Sequence, residues 1–213
     1  MTTWAHQEMD DHNRLYLRYT QLMNGSLALF AVFVAVWILI DPTRRSDPDY
    51  VFWLVMAIGL LHTVEEYILP GGFVPWFNLT VCRSSEAFLP LSARRAFLTD
   101  GTAALFALPI MFLISAGILP VWAAFFIAMA LYVNAFLHIG EWIKTARYSP
   151  GMLTSLLLII PGYTWIFSFY LSRALVSPLH IAIAFVVGIL MNAVFYAFLR
   201  KWSSMTPTTA TVN

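Results

Sequence analysis

Three ionisable residues stand inside an apolar run: Leu60-Leu61-His62-Thr63-Val64-Glu65-Glu66-Tyr67 falls in the second half of residues 51–69. The most polar side chains cost about 2.5–3.5 kcal/mol each at the centre of a membrane helix, so they are retained only where they face protein, water or a metal. Helical spacing allows that, because Glu65 and Glu66 follow His62 by three and four positions and project to one side. A helix end emerging early into lipid headgroups accounts for Glu66 and leaves His62 unexplained. A second stripe has a similar composition: Asn134, His138 and Glu141 are spaced four and three within residues 121–143. Two imidazoles with several carboxylates form a mixed nitrogen and oxygen donor set suited to a divalent metal, zinc, iron or manganese. Helical bundles build such sites from Glu and His on facing helices. His62, Glu66, His138 and Glu141 are the expected ligands. Glu65 is the expected base or ligand partner, and Asn134 an orienting amide. With metal–ligand bonds near 2.0–2.2 Å, a shared ion requires the two histidine nitrogens within about 5 Å of each other.

Composition dictates the elements that must carry these stripes. Of 213 residues, 60% are hydrophobic and 11% charged, where a soluble domain carries about 25% charged. The fold class is therefore all-α, a multi-pass transmembrane helical bundle, because backbone in lipid must bond within its own segment. Six apolar runs, residues 22–40, 51–69, 96–118, 121–143, 152–171 and 178–199, each have roughly the 20 residues that a core about 30 Å thick requires. This leaves 1–21 as an N-terminal segment and 200–213 as a tail. Asp41-Pro42, Pro70-Gly71-Gly72, Leu119-Pro120, Ser149-Pro150-Gly151 and Ser177-Pro178 separate the runs, while Pro109 and Pro161-Gly162 fall inside spans and predict kinks. On the N-terminal side the basic residues are Arg14, Arg18, Arg83, Arg94, Arg95, Lys144, Arg147, Arg200 and Lys201; the other side has Arg44, Arg45 and Arg173. Nine against three places both termini in the cytoplasm of a protein of the cell membrane. A net charge of +1 with no basic cluster gives no case for a nucleic-acid partner. The lone Cys82 cannot form an intramolecular disulfide. Residues 1–20, which include His6, Glu8, Asp10 and Asp11, are too polar for a cleavable signal peptide.

In that topology the polar residues converge on one depth. His62 lies near mid-bilayer and Glu66 about 6 Å nearer the cytoplasm, level with the Asn134, His138 and Glu141 stripe. Asp100 opens the third span on the same side, and Tyr148-Ser149-Pro150-Gly151 with Thr154 opens the fifth. Bland readings compete at several positions. Asp100 could be a helix cap, Glu141 could pair with Lys144, Asn134 could bond across helices, and Tyr148 could be an interfacial anchor. His62 and His138 have no comparable alternative, and His180, His6 and His12 are assigned nothing. Residues 73–95 mix Trp76, Phe77, Phe88 and Leu89 with Arg83, Ser84, Ser85 and Glu86, which predicts a segment along the interface. Tyr67 and Trp142 are expected nearer that interface than the stripes. Asn78-Leu79-Thr80 matches a glycosylation sequon by chance. A faint parallel repeat, Leu61-His62-x-x-Glu65 and Leu137-His138-x-x-Glu141, predicts two half-sites facing each other.

Three motifs, His62-x-x-Glu65-Glu66, Asn134-x-x-x-His138 and Tyr148-x-Pro150-Gly151-x-x-Thr154, resemble those of the HXXEE-domain family of small integral membrane proteins. They occur in the family's order and frame residues from about 55 to 160. The resemblance implies a multi-pass membrane protein suspected of being an enzyme, and it supplies no substrate. It places Tyr148 and Thr154 with Glu65 and Asn134 as candidate catalytic residues. The leading expectation is a membrane-embedded metalloenzyme acting on a lipid or other apolar substrate. The first alternative is a metal-free acid–base isomerase or hydrolase, with Glu65 or Glu66 as acid and His62 or His138 as base. The second is a transporter or proton relay, against which stand the lack of an inverted repeat and the near absence of charge in the outer half.

Overall fold

A chain this apolar closes its hydrogen bonds within its own segments, and every regular element among the described residues is helical. The structure, a computed structural model, describes residues 9–203, with side chains as far as residue 199. His6, Glu8 and the end of the expected tail, from residue 204, lie outside the described residues. The helices are α1 (Asp11–Leu39), α2 (Pro42–Ser46), α3 (Pro48–Val51), α4 (Trp53–Tyr67), α5 (Phe73–Trp76), α6 (Ala93–Ser115), α7 (Ala124–Thr145), α8 (Met152–Thr154), α9 (Ile160–Ser172) and α10 (Pro178–Ser203). Five stretches are long and apolar enough to cross a membrane: Asp11–Leu39, Ala93–Ser115, Val121–Thr145, Met152–Ser172 and Pro178–Leu199.

The remaining expected span, residues 51–69, is represented by α4, whose 15 residues reach about 22 Å. Phe52, at φ −63° and ψ −24°, joins it to α3 in helical conformation. Backbone from residue 48 to 67 therefore runs as one rod of about 30 Å. This rod is the centre of the bundle: α4 packs against α1, α7 and α9, and most of its side chains, polar ones included, are buried. Two tyrosines of α9 tether it, Tyr163 donating to the Val55 carbonyl at 2.9 Å and Tyr170 to that of Pro48 at 2.5 Å. On the far side of α7, Gly188 of α10 lies so close to the Met129 backbone that a Cβ would stand 2.7 Å from its carbonyl oxygen. Asn192 donates to the Ala130 carbonyl at 2.9 Å along the same crossing, the small-residue packing usual where helices have no solvent to exclude.

The elements differ from the sequence expectation at the N-terminal end of the bundle. α1 starts at Asp11, capped by the Asp10 carboxylate on the Asn13 N–H, and so absorbs half of the expected N-terminal segment. Its first turns are polar because they bond to protein. Asn13 Oδ1 accepts from the Ala93 N–H at the start of α6 (3.0 Å), and Gln21 donates to the Tyr67 carbonyl at the end of α4 (3.0 Å). Within the segment expected along the interface, Phe77 and Leu91 pack into a small core with Tyr67, Ala96 and Leu199. Asn78, wholly buried, ties this segment together by donating to the carbonyls of Ala87 and Leu91 and accepting from the Leu91 N–H, all within 2.9 Å. A wide π turn, Ser155–Ile159, links α8 to α9 just before Pro161, which has no N–H to continue the α pattern.

Candidate functional site

α4 presents His62 and Glu66 one turn apart on the same face, and α7 presents Asn134 and His138. Across this contact His62 Nε2 lies 3.5 Å and His138 Nε2 3.3 Å from the same carboxylate oxygen, Glu66 Oε1. The three ligand atoms all fall within 4.8 Å of one another, inside the limit set by the sequence argument. The imidazoles meet edge to face, with centroids 5.2 Å apart. His62 is 1%, His138 3% and Glu66 7% exposed, so none of them is solvated.

The remaining ring nitrogens fix the tautomers. Thr154 Oγ1 donates to Glu65 Oε2 (2.5 Å), so at 2.8 Å from His62 Nδ1 it can only accept. His62 Nδ1 therefore carries a proton, and a singly protonated ring turns its Nε2 lone pair to Glu66. On His138 the Asn134 amide donates to Nε2 at 3.1 Å, which leaves Nδ1 to donate to Ser149 Oγ at 2.9 Å. With both rings singly protonated, His62 Nε2, which has no hydrogen-bond partner, and His138 Nε2, which accepts from Asn134, stand beside the same Glu66 carboxylate oxygen. Acceptors facing an acceptor repel each other. A cation between them, a metal ion or a proton, turns the contact favourable, and the donor set of two nitrogens and one carboxylate suits zinc, iron or manganese.

Glu65 has a different task. Its carboxylate accepts from the Tyr148 hydroxyl (2.5 Å), the Leu153 N–H (2.9 Å), the Thr154 N–H (2.6 Å) and the Thr154 hydroxyl. The two backbone groups are first-turn donors of α8 with no partner in their own helix, so Glu65 caps that helix from α4. Partial burial and the Glu65 carboxylate raise the Tyr148 pKa, which keeps its hydroxyl a donor. The loop thereby held carries Gly151 across both histidines. At φ +98°, a Cβ here would stand 2.6 Å from His62 Cε1 and 3.0 Å from His138 Cε1, so only glycine fits.

The structure brings His62, Glu66 and His138 together, with Asn134, Thr154 and the Glu65–Tyr148 clamp around them. Glu141, expected as a fourth ligand, is outside that group; its Oε1 pairs with Lys144 Nζ at 3.0 Å. Asp100 is not a cap, because α6 begins seven residues earlier with Ser92 as its cap. It accepts from Asn24 at 3.3 Å and from the Tyr67 hydroxyl, within electrostatic reach of Glu66. Tyr67 is accordingly buried, whereas Trp142 is exposed. Sequence reasoning passed over Ser149 and Gly151 as contributors, although both stand inside the Tyr148–Thr154 motif. It also missed Trp76, whose indole stacks on His138 at 5.7 Å and 21°.

No curated protein and no solved structure matches the chain. A family model described as "Protein of unknown function with HXXEE motif" matches residues 53–166. That stretch is more than half of the chain, begins where α4 begins, and contains His62, Glu65, Glu66, His138 and the loop over them. The chain belongs to the HXXEE family.

Proposed function

We propose that the chain is a six-span membrane enzyme in which His62, Glu66 and His138 hold a divalent metal that acts on a lipid or other apolar substrate. The observation that carries this reading is the convergence of two imidazole Nε2 atoms and a carboxylate oxygen, all on buried residues, with both Nδ1 atoms within hydrogen-bond distance of hydroxyls. Each ligand atom's distance to Glu66 Oε1, 3.3 and 3.5 Å, is near the roughly 3.4 Å that separates tetrahedral ligands on bonds of about 2.1 Å. The ion would supply Lewis-acid or metal-bound-water chemistry. Thr154 and Ser149 orient the imidazoles, and Glu65 positions Thr154. With a metal held there, Asn134 would give up its contact with His138 Nε2 and its amide would be free to bond substrate. In this reading the α3–α4 stretch serves as the sixth span, and the distribution of basic residues supports a cytoplasmic position for the site's end of the bundle.

A metal-free acid–base enzyme is the second reading, favoured by the Asn134 contact already present at His138 Nε2. In it a proton shared between Glu66 and the imidazoles replaces the ion. Cobalt(II) titration of chelator-treated protein in detergent separates the two. The metal reading predicts visible d–d absorption saturating near one equivalent and lost in His138→Ala, with the thermal transition retained. No saturable absorption in folded wild type leaves the acid–base reading.

A further inference from the structure

At the end of the bundle remote from the His–Glu site, a cavity of about 660 Å³ opens between α2 and α9, within the range of roughly 300–1,000 Å³ usual for small-molecule sites. Arg45 and Ser46 line it from α2, and Trp165, Phe169, Ser172 and Arg173 from α9 and its end. No carboxylate lines it; Asp47 is engaged at the start of α3, where it accepts from the Asp49 N–H at 2.9 Å. Two of the three basic residues that the sequence places at this end thus meet in one space. The third, Arg44, is held elsewhere, paired with Asp41 at 3.4 Å and lying over the Trp37 ring. The Arg45 side chain is exposed and makes no ion pair among the described residues. Arg173 lies over the Phe169 ring at 3.7 Å with one N–H 3.4 Å from the Phe169 carbonyl, so most of its donors stay available. Arginines at helix C-termini complement the backbone dipole, which accounts for a cation on each helix and not for the cavity they share. Ser46 and Ser172 spend their protons on the carbonyls of Pro42 at 2.8 Å and Phe169 at 3.0 Å, which leaves their oxygens as acceptors. Trp165 stands about two turns before Arg173, roughly 12 Å deeper along the helix. The cavity therefore runs from a cationic, hydrogen-bonding rim to an aromatic wall inside the apolar stretch Met152–Ser172.

We infer that this cavity binds an anionic phospholipid with a hydroxylated, phosphoglycerol-type head, its phosphate between Arg45 and Arg173 and the start of its chains along Trp165 and Phe169. Guanidinium groups match phosphate oxygens through paired, charge-assisted hydrogen bonds. The headgroup hydroxyls donate to the Ser46 and Ser172 oxygens. A choline or ethanolamine head instead brings a third cation to a rim with no carboxylate to receive it. A free phosphate leaves the aromatic wall uncovered, whereas a lipid enters from the bilayer and reaches both ends. The site stands apart from the histidines and does not rest on the metal reading.

The test is native mass spectrometry of full-length protein in detergent, titrated with dioleoyl phosphatidylglycerol or dioleoyl phosphatidylcholine. The inference predicts a single phosphatidylglycerol bound at least about tenfold more tightly than phosphatidylcholine, and not displaced by excess sn-glycerol 1-phosphate. Arg45→Gln and Arg173→Gln each weaken phosphatidylglycerol binding about tenfold, the effect of one charge-assisted hydrogen bond, and leave phosphatidylcholine adducts unchanged. Arg44→Gln removes the same charge from the same helix and changes the affinity less than about twofold. Equal affinity for the two lipids, unchanged affinity in either of the first two variants, or an equal loss in Arg44→Gln overturns the inference. Displacement by glycerol phosphate makes the cavity a site for a free anion and overturns it too. If a variant fails to fold, the lipid comparison on wild type decides alone.

Discussion

Gly151 is the residue on which the two histidines depend most directly, although it bonds to neither. Its positive φ and the 2.6 Å and 3.0 Å approaches that a Cβ would make to the rings mean that any side chain separates the loop from the imidazoles. Gly151→Ala is expected to weaken cobalt affinity at least about tenfold, measured by competition with a chromophoric chelator. Thr154→Val removes the acceptor on His62 Nδ1 and should weaken it about 10–100-fold, while Thr154→Ser should restore most of the loss. Metal content unchanged in both Gly151→Ala and Thr154→Val would show that ring orientation does not matter. At this scale helical phase made the two histidines and Glu66 legible in the sequence. It failed at Glu141 for a definite reason. Residues at i+3 and i+4 are both neighbours of residue i, yet they differ by about 100° around the helix. Glu66 follows His62 by four and joins the cluster. Glu65 and Glu141 follow their histidines by three, and both turn to other partners. The two histidines of the faint repeat face each other, and its two glutamates bond elsewhere, Glu65 to Tyr148 and Glu141 to Lys144.

Among the elements, α4 and the loop before α9 form one unit, joined by the Glu65 carboxylate. Four donors converge on it, two of them backbone groups at a helix start. Glu65→Ala is expected to lower stability by about 3 kcal/mol, seen as an earlier transition when protein in detergent is unfolded chemically. A loss below about 1 kcal/mol would mean that water replaces the carboxylate without penalty. Asn78 plays the same part for residues 77–92, and Asn78→Leu should cost about 2–3 kcal/mol because it leaves the buried Leu91 N–H unpaired. These ties explain what the sequence concealed. Polar residues such as Asn13, Gln21 and Asn78 read as solvent-facing or interfacial, since their partners, Ala93, the Tyr67 carbonyl and Leu91, lie up to 80 positions away. Apolar length, by contrast, is a local property: four of the six runs reappear with nearly the expected extent, and the first is lengthened at its polar end to Asp11. α4 ends at Tyr67, just ahead of the Pro70-Gly71-Gly72 breaker read in the sequence, whose two glycines stand at positive φ.

For the whole molecule, the proposal sets the His–Glu site toward the cytoplasm, within a bundle whose central rod is sheathed by its own helices. On a Cys82→Ala background, a cysteine at Ser84 should react with an impermeant maleimide only after the membrane is opened, and one at Ser46 in intact cells. Labelling of both from the same side would remove α3–α4 as a span and invert the reading of the basic residues. The central claim, however, is that the cation between His62, Glu66 and His138 is a metal. The most direct measurement is elemental analysis of untagged protein purified without chelator, wild type beside His138→Ala. The account predicts close to one equivalent of zinc, iron or manganese in the wild type and less than about a tenth in the variant, both with intact thermal transitions. Less than about half an equivalent of every transition metal in folded wild type, or equal content in the two proteins, would contradict it.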